Sequence, residues 1–98
     1  MNMQALMQQA QKMQKDIQKK QDEVSKMEFE GKSEWVTVTL NGKKEMINIK
    51  INSKTLDEED IEMLEDMIKI AFKDALQKVD KEYDNKLGMY GKQLNGLI

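Results

Sequence analysis

Apolar residues near the start of the chain follow a helical spacing. They recur at alternating intervals of three and four residues, interrupted once at Lys20, and this set is Met3, Leu6, Ala10, Met13, Ile17, Val24 and Met27. We call it the apolar seam. Such a repeat predicts a helix over about residues 3 to 27 that packs along another helix. The opposite side of that helix carries Lys12, Lys15, Lys19 and Lys26, which we call the lysine row.

A strand pattern begins after Gly31. Residues 35–40 alternate between a mixed face and an aliphatic face formed by Val36, Val38 and Leu40. Residues 46–51 alternate in the same way and place Ile47, Ile49 and Ile51 on one side. This period of two is typical of strands with two distinct faces. We expect a further short strand around Phe29 to Ser33, because an isolated hairpin is marginally stable in water.

The pair Asn41-Gly42 separates the two alternating runs. It predicts a two-residue hairpin turn, because both central positions of that turn favour positive φ. Such a turn pairs Val38 with Glu45 and Val36 with Ile47. The mixed face is then left uncovered, and we expect this face or an open strand edge to form a homodimer interface. The predicted interface residues are Trp35, Thr37, Met46 and Asn48.

A second long helix is predicted from about residue 58 to 87. Asp57 is a suitable N-cap, and the acidic residues 58–60 fill the first turn, where the helix dipole favours negative charge. A calcium or magnesium site is the alternative, but the segment lacks the spaced oxygen ligands and the sharp-turn glycine of a loop site. Gly88 is expected to end the helix, and residues 89–98 are expected to be loosely ordered.

The predicted helices are much longer than the predicted strands. At 1.5 Å per residue they reach roughly 37 and 45 Å, whereas a strand of six or seven residues reaches only about 20 Å. Both helices must therefore extend beyond the sheet. We expect their apolar sides to cover each other as an antiparallel or splayed pair.

Composition excludes several classes of function. The 98 residues predict one domain over the whole chain, residues 1–98, and contain no cysteine and no histidine. All 16 basic residues are lysines. Without histidine, cysteine or arginine we expect no enzyme, no metal site and no cofactor. The sequence has no apolar run long enough for a membrane span and no signal-peptide pattern, which favours the cytoplasm.

Charge is unevenly distributed along the chain. Its net value is −2, but residues 57–68 hold seven acids and no base, whereas the first 20 residues hold four lysines and one acid. This distribution argues against a uniformly basic nucleic-acid-binding protein. It allows a protein in which helices carry lysine and another surface carries acid.

Three segments in this order resemble the YbaB/EbfC family of bacterial nucleoid-associated proteins. They are MNMQALMQQAQKMQKDIQKKQDEVSKMEFEG, VTVTLNGKKEMINIKIN and LDEEDIEMLEDMIKIAFKDALQKVDKEYDNKLG. The resemblance implies an α+β fold of order α-β-β-β-α, a tweezer-like homodimer, and DNA binding through projecting helices in the nucleoid. The chain departs from the family pattern in having fewer glycines before the hairpin, Glu58 in place of a proline, and no proline in the tail.

Under this resemblance the helical lysines are the predicted DNA contacts. Lysines neutralise phosphates as point charges and so bind duplex DNA with little sequence preference. The alternative is a dimeric adaptor that binds another protein through its methionine-rich seam. Steep salt dependence would indicate the first function and weak salt dependence the second. The predicted DNA contacts are Lys12, Lys15, Lys19, Lys20, Lys26, Lys73, Lys78, Lys81 and Lys86.

Overall fold

The computed structural model describes residues 2–53 and 55–88. The helices and strands follow the order α1 (Met3–Ser25), β1 (Glu28–Ser33), β2 (Val36–Asn41), β3 (Met46–Ile51) and α2 (Ile61–Leu87), with a 3₁₀ turn at Glu58–Asp60. The strands form an antiparallel sheet of order β1-β2-β3. The predicted α-β-β-β-α fold and its short first strand are confirmed. The tail prediction for residues 89–98 lies outside the described residues.

Both helices begin at side chains suited to that position. The Oδ1 atom of Asn2 accepts a hydrogen bond from the backbone N–H of Gln4 at 3.0 Å, which satisfies one free amide of α1. At the second helix, the backbone N–H of Asp57 donates to the Oδ2 atom of Asp60 at 3.0 Å. The acidic segment is therefore a helix start, with one 3₁₀ turn before α2, and Gly88 is the C-cap residue as predicted.

The sheet contains a two-residue hairpin turn, but it joins β1 to β2 and not β2 to β3. Ser33 pairs with Val36, so Glu34 and Trp35 form the turn, and Glu34 adopts a positive φ of 48°. The carbonyl oxygen of Trp35 accepts a hydrogen bond from the backbone N–H of Asn52 at 2.6 Å. The indole is half-buried and packs against the core. Trp35 thus already has contacts within its own chain.

The predicted two-residue turn at Asn41-Gly42 is wrong. The backbone N–H of Asn41 donates to the carbonyl of Glu45 at 3.0 Å, which leaves three residues in the loop. Positive φ occurs at Lys44, with a value of 66°. The Oδ1 atom of Asn41 accepts from the backbone N–H groups of Lys43 at 2.9 Å and Glu45 at 3.1 Å. The loop is thus the three-residue hairpin type, whose last residue is left-handed.

The longer turn shifts the register of β3. Leu40 pairs with Met46, Val38 with Ile49 and Val36 with Ile51, with an irregularity between Thr39 and Leu40. The predicted pairs of Val38 with Glu45 and Val36 with Ile47 are wrong.

The new register also changes the predicted interface face. Directly opposed residues of an antiparallel pair share a face. Asn48, opposite Thr39, remains on the side of Thr37, whereas Met46, opposite Leu40, lies on the side of the core. The predicted interface set is therefore split between the two faces.

The core forms where α2 crosses β1 and β2. Every fourth residue of α2 from position 67 to 79 is buried against Val36, Val38 and Leu40 of β2, and these helix residues are Met67, Ala71, Ala75 and Val79. At the crossing, a Cβ on Gly31 would lie 1.9 Å from the carbonyl oxygen of Ala71. Glycine at this position therefore allows the helix backbone to approach β1.

The third strand lies outside this core. All six residues of β3 are exposed, because α2 packs on β1 and β2 and stops short of β3. Ile49 and Ile51 are each 40% exposed although they share the face of Val38 and Val36. A strip of aliphatic sheet surface is therefore uncovered in the single chain.

The first helix projects away from the sheet. The principal dimensions of the chain are 71 × 20 × 15 Å, which confirms that the helices extend beyond the strands. Val24, near the end of α1, is fully buried, but Met3, Leu6 and Met13 are 74%, 47% and 44% exposed. The two helices contact each other, yet α2 does not cover the first half of the apolar seam. The expectation of mutual coverage is wrong for that half.

Candidate nucleic-acid interface

The lysine row forms a narrow line along α1, and its last member, Lys26, is the C-cap residue of that helix. At 100° per residue its four members fall within an arc of about 60° and extend over about 21 Å of the helix axis. The whole row is exposed, and the apolar seam lies on the opposite side of the helix. The cationic groups of Lys12, Lys15, Lys19 and Lys26 are thus directed toward one side of the projecting helix.

Few acids compete for these cations. Within residues 2–53 and 55–88, no ion pair joins a lysine of the row to a carboxylate. Asp22 and Glu23 line the same shallow depression as Lys15, Lys19 and Lys26 and lower the positive potential there. Lys12, nearer the start of the helix, lies outside this depression. A phosphate that approaches Lys12 therefore does not meet the carboxylates of Asp22 and Glu23.

Lys20 differs from the lysine row. It interrupts the apolar seam in the sequence, is half-buried, and its Nζ atom lies 3.4 Å from the Oδ2 atom of Asp16 one turn earlier. Its position on the helix is on the seam side. The structure therefore does not bring Lys20 together with the other predicted contacts of α1.

The predicted lysines of α2 do not form a line. At 100° per residue they spread over about 220° around the helix axis. Lys78 is engaged within the fold: its Nζ atom donates to the carbonyl of Glu30 at 2.6 Å and lies 3.4 Å from the Oδ2 atom of Asp74. Lys73 and Lys81 are exposed and Lys86 is half-exposed. Lys73 borders a shallow depression together with Lys32 of β1.

Sequence reasoning missed two lysines at the β2–β3 turn. Lys43 and Lys44 line an open depression with Asp22 of α1 and Tyr83 of α2. The Nζ atom of Lys44 lies 3.1 Å from the Oδ1 atom of Asp80. A Cβ on Gly42 would lie 1.9 Å from the carbonyl oxygen of Val24, so the turn packs directly on the end of α1. No local signal reveals this proximity, because it arises from a long-range backbone contact.

Tyr83 holds this junction together. Its hydroxyl donates to the carbonyl of Gly42 at 2.7 Å. Burial raises the pKa of the Tyr83 phenol, while the positive charge of Lys44 acts in the opposite direction. The neutral, hydrogen-bond-donating form is therefore favoured in the fold.

Comparison with known proteins shows the family to which this chain belongs. The profile of the YbaB/EbfC DNA-binding family matches residues 1–94. The chain belongs to this family. It is 38% identical over 99 residues to a nucleoid-associated protein of Ligilactobacillus salivarius, covering 99% of this chain and 95% of that protein. It is 43% identical over 96 residues to a nucleoid-associated protein of Lactococcus lactis subsp. cremoris, covering 96% of this chain and 97% of that protein.

A nucleoid-associated protein of Enterococcus faecalis is 40% identical over 97 residues, covering 97% of this chain and 93% of that protein. The family resemblance predicted from sequence is thus confirmed, and with it membership of a DNA-binding family. In the described part of this YbaB/EbfC member, no group of three or more acidic residues is placed to hold a metal ion. None of the described helices is long and apolar enough to span a membrane.

Proposed function

We propose that this YbaB/EbfC member is a homodimeric nucleoid protein of the cytoplasm that binds duplex DNA with little sequence preference. The lysine row of α1 is the main contact surface in this proposal. The observation that carries it is the alignment of four exposed lysines on a projecting helix, with no ion pair among the described residues. Membership of a DNA-binding family supports duplex DNA as the ligand.

The length of the row sets the size of the contact. About 21 Å of helix corresponds to about six base pairs at 3.4 Å each. Each lysine row can place at most four lysines on phosphates, so the two rows of a dimer can place at most eight. Since each neutralised phosphate contributes about −0.9 to the slope of log K against log salt, full engagement gives a slope of about −7.

Lysine chemistry supports the lack of sequence preference. A lysine ammonium is a compact point charge on a flexible stem, whereas arginine presents a rigid planar fork of donors, and all 16 basic residues of this chain are lysines. The contacts then position the protein on the phosphate backbone without reading bases. Lys73, Lys81 and Lys86 are accessory contacts in this proposal. Lys20 and Lys78 primarily stabilise the fold.

Dimerisation is supported by the apolar surface that the single chain exposes. Met3, Leu6, Met7 and Met13 of α1 and Ile47, Ile49 and Ile51 of β3 are all at least 40% exposed. A small protein that exposes this much aliphatic surface gains stability when a second copy covers it. The homodimer also brings two lysine rows to the same duplex.

A gel-shift titration against two unrelated duplexes over a range of salt tests the DNA-binding part. Affinity should fall steeply with salt and by the same factor for both duplexes. Sedimentation at micromolar concentration should show twice the chain mass. No duplex binding even at low salt would contradict the proposal.

A protein adaptor is the second candidate function. It is favoured by one observation, the exposed methionines Met3, Met7 and Met13 along the first half of α1, since flexible thioether side chains accommodate varied partners. A complex formed through this seam should be much less sensitive to salt than one formed through the lysine row. Retention of a protein partner at a salt concentration that releases DNA would support the adaptor.

A further inference from the structure

The end of α2 lies against the end of α1. The hydroxyl of Tyr83 donates to the carbonyl of Gly42 at 2.7 Å, and the turn at Gly42 packs directly on the backbone of Val24. Tyr83 of α2 is therefore level with Val24 of α1. One helical turn further along α2, Leu87 is only 2% exposed, and α1 is the element that contacts α2 beyond the sheet. The two helices thus run antiparallel at this end of the molecule.

Coverage of the apolar seam stops where the described part of α2 stops. Counted back from Val24, the position level with Leu87 is Lys20, which is half-buried, and Ile17 is half-buried as well. One turn nearer the start of α1, Met13 is 44% exposed. The seam is therefore open from Met13 toward the start of the helix, just beyond the described end of α2.

The backbone of α2 does not turn away at that point. Gly88 has a φ of −58° and a ψ of −29°, which are helical values. Glycine commonly ends a helix in the left-handed conformation, and Gly88 does not adopt it. The chain that follows Gly88 therefore leaves α2 along the helix axis, which leads it alongside the open part of the seam.

The sequence of residues 89–98, outside the described part of the chain, continues an apolar repeat that begins in α2. The repeat has intervals of four, three, four and three residues and consists of Tyr83, Leu87, Tyr90, Leu94 and Leu97. The seam of α1, read from its end toward its start, has the same intervals at Val24, Lys20, Ile17, Met13 and Ala10. Antiparallel helices whose repeats coincide in this way can interdigitate their side chains along the whole contact.

We propose that residues 89–98 continue α2 and dock antiparallel on the apolar seam of α1, with Leu94 against Met13 and Leu97 against Ala10. As a helix these ten residues are about 15 Å long, which is enough to cover the seam as far as Ala10. The segment is attached directly beside the seam. Its effective concentration there is therefore in the millimolar range, far above that of a second copy at micromolar concentration. The contact lies within one chain, so it depends on neither the proposed DNA binding nor the proposed dimer.

Each of the two segments gains stability from this contact. Gly88, Gly91 and Gly96 lie off the apolar repeat and lower the helix propensity of residues 89–98, and an isolated helix of that length is marginal in water. The segment therefore needs the seam in order to become helical. In return it covers apolar side chains of α1 and stabilises the part of that helix which carries Lys12.

Disulfide trapping tests the contact and its register. The chain has no cysteine, so every crosslink comes from introduced residues. Helix axes about 8–10 Å apart, with Cα atoms about 2.3 Å from each axis, bring facing Cα atoms to about 5 Å, within the range of about 4.4–6.8 Å that a disulfide spans. On oxidation, the double variant Met13→Cys, Leu94→Cys should lose its free thiols and keep the monomer mass in a denaturing gel. The control variant Met13→Cys, Lys92→Cys should keep its thiols, because position 92 lies on the opposite side of the continued helix.

Two results of this experiment would overturn the proposal. Covalent dimers in a mixture of the single variants Met13→Cys and Leu94→Cys, without an intrachain crosslink in the double variant, would show that the segment of a second copy covers the seam. Free thiols in the double variant at the level of the control would show that residues 89–98 do not dock on the seam.

Amide hydrogen exchange measures the effect of the contact on α1. Leu94→Asp places a charge in the apolar contact, so we expect the amides of residues 7–13 to exchange at least about tenfold faster. Asn95→Asp adds the same charge off the apolar repeat and is the matched control, which should exchange like the unchanged protein. Equal exchange rates in the two variants would contradict the docking. Sedimentation and the gel shift, measured on the same preparations, report the dimer and DNA binding separately.

Discussion

The hydroxyl of Tyr83 donates a hydrogen bond to the carbonyl oxygen of Gly42 at 2.7 Å. Forty-one positions separate the two residues in sequence, and their contact joins α2 to the turn between β2 and β3. The same turn packs on the backbone of Val24, where a Cβ at position 42 would lie 1.9 Å from the carbonyl oxygen. This junction therefore fixes the direction in which α1, and the lysine row on it, projects from the sheet.

We expect Tyr83→Phe to destabilise the fold by about 0.5–1.5 kcal/mol, the usual net contribution of a hydrogen bond. The ring and its packing against the core are kept, so the loss reports the hydroxyl alone. Urea denaturation followed by circular dichroism measures it. A free energy of unfolding equal to that of the unchanged protein would show that water replaces the bond without cost.

The same hydroxyl predicts a pH dependence in the alkaline range. Burial raises the pKa of Tyr83 above its ordinary value of 10.0. The associated stability is fully present below the unfolded-state pKa and is lost as pH rises through the folded-state pKa. Stability should thus fall above about pH 10. Because lysines titrate there as well, the test is the difference between the unchanged protein and Tyr83→Phe, which should shrink as the pH rises.

Gly31→Ala should destabilise the protein strongly. The added Cβ would meet the carbonyl oxygen of Ala71 at 1.9 Å and the backbone nitrogen of Ala75 at 2.5 Å. Neither atom can move without displacing α2 from the sheet, so we expect a cost of at least about 2 kcal/mol in thermal or urea unfolding. Gly88→Ala is the matched control, since nothing lies within 4 Å of its added Cβ and its φ is −58°. That variant should be neutral or slightly stabilised.

Lys78→Met should separate structural from DNA-contacting lysines. Methionine keeps most of the aliphatic stem but loses the hydrogen bond to the carbonyl of Glu30 and the ion pair with Asp74. We expect a loss of about 1 kcal/mol in stability. The slope of log K against log salt for DNA binding should change less in Lys78→Met than when a single lysine of the row is replaced. A decrease of a full unit in that slope would instead show that Lys78 contacts a phosphate.

The triple variant Lys12→Gln, Lys15→Gln and Lys19→Gln tests the proposed interface. These side chains are exposed, and within the described residues they form no ion pair, so stability should change by no more than about 0.5 kcal/mol per site. The salt slope should fall by about one unit for each lysine that contacts a phosphate, equally for unrelated duplexes. Lys69→Gln is the single-site control, at an exposed position outside both the row and β3. If the folded triple variant binds as the unchanged protein does, the site lies elsewhere.

The sequence by itself determined which segments form helices and strands and which helix carries the lysine row. Asn2 and Asp57 start helices through neighbouring backbone groups, and the alternation over residues 35–40 requires a two-faced strand. These are local effects of capping and of side-chain period, which act within a few residues. For the same reason the arc of the lysine row around α1 could be derived before any contact was known.

Only the tertiary structure decided how those elements meet. Asn41-Gly42 suggested the wrong turn because Gly42 is needed for the close approach of Val24, whereas the left-handed residue is Lys44. That difference moved Met46 to the other face of the sheet. A long-range contact likewise joined Lys78 to the carbonyl of Glu30. The position of α2 over β1 and β2 left β3 uncovered. Helix capping and strand periodicity depend on neighbours in sequence, but register, edge protection and the partner of a lysine depend on residues that folding brings together.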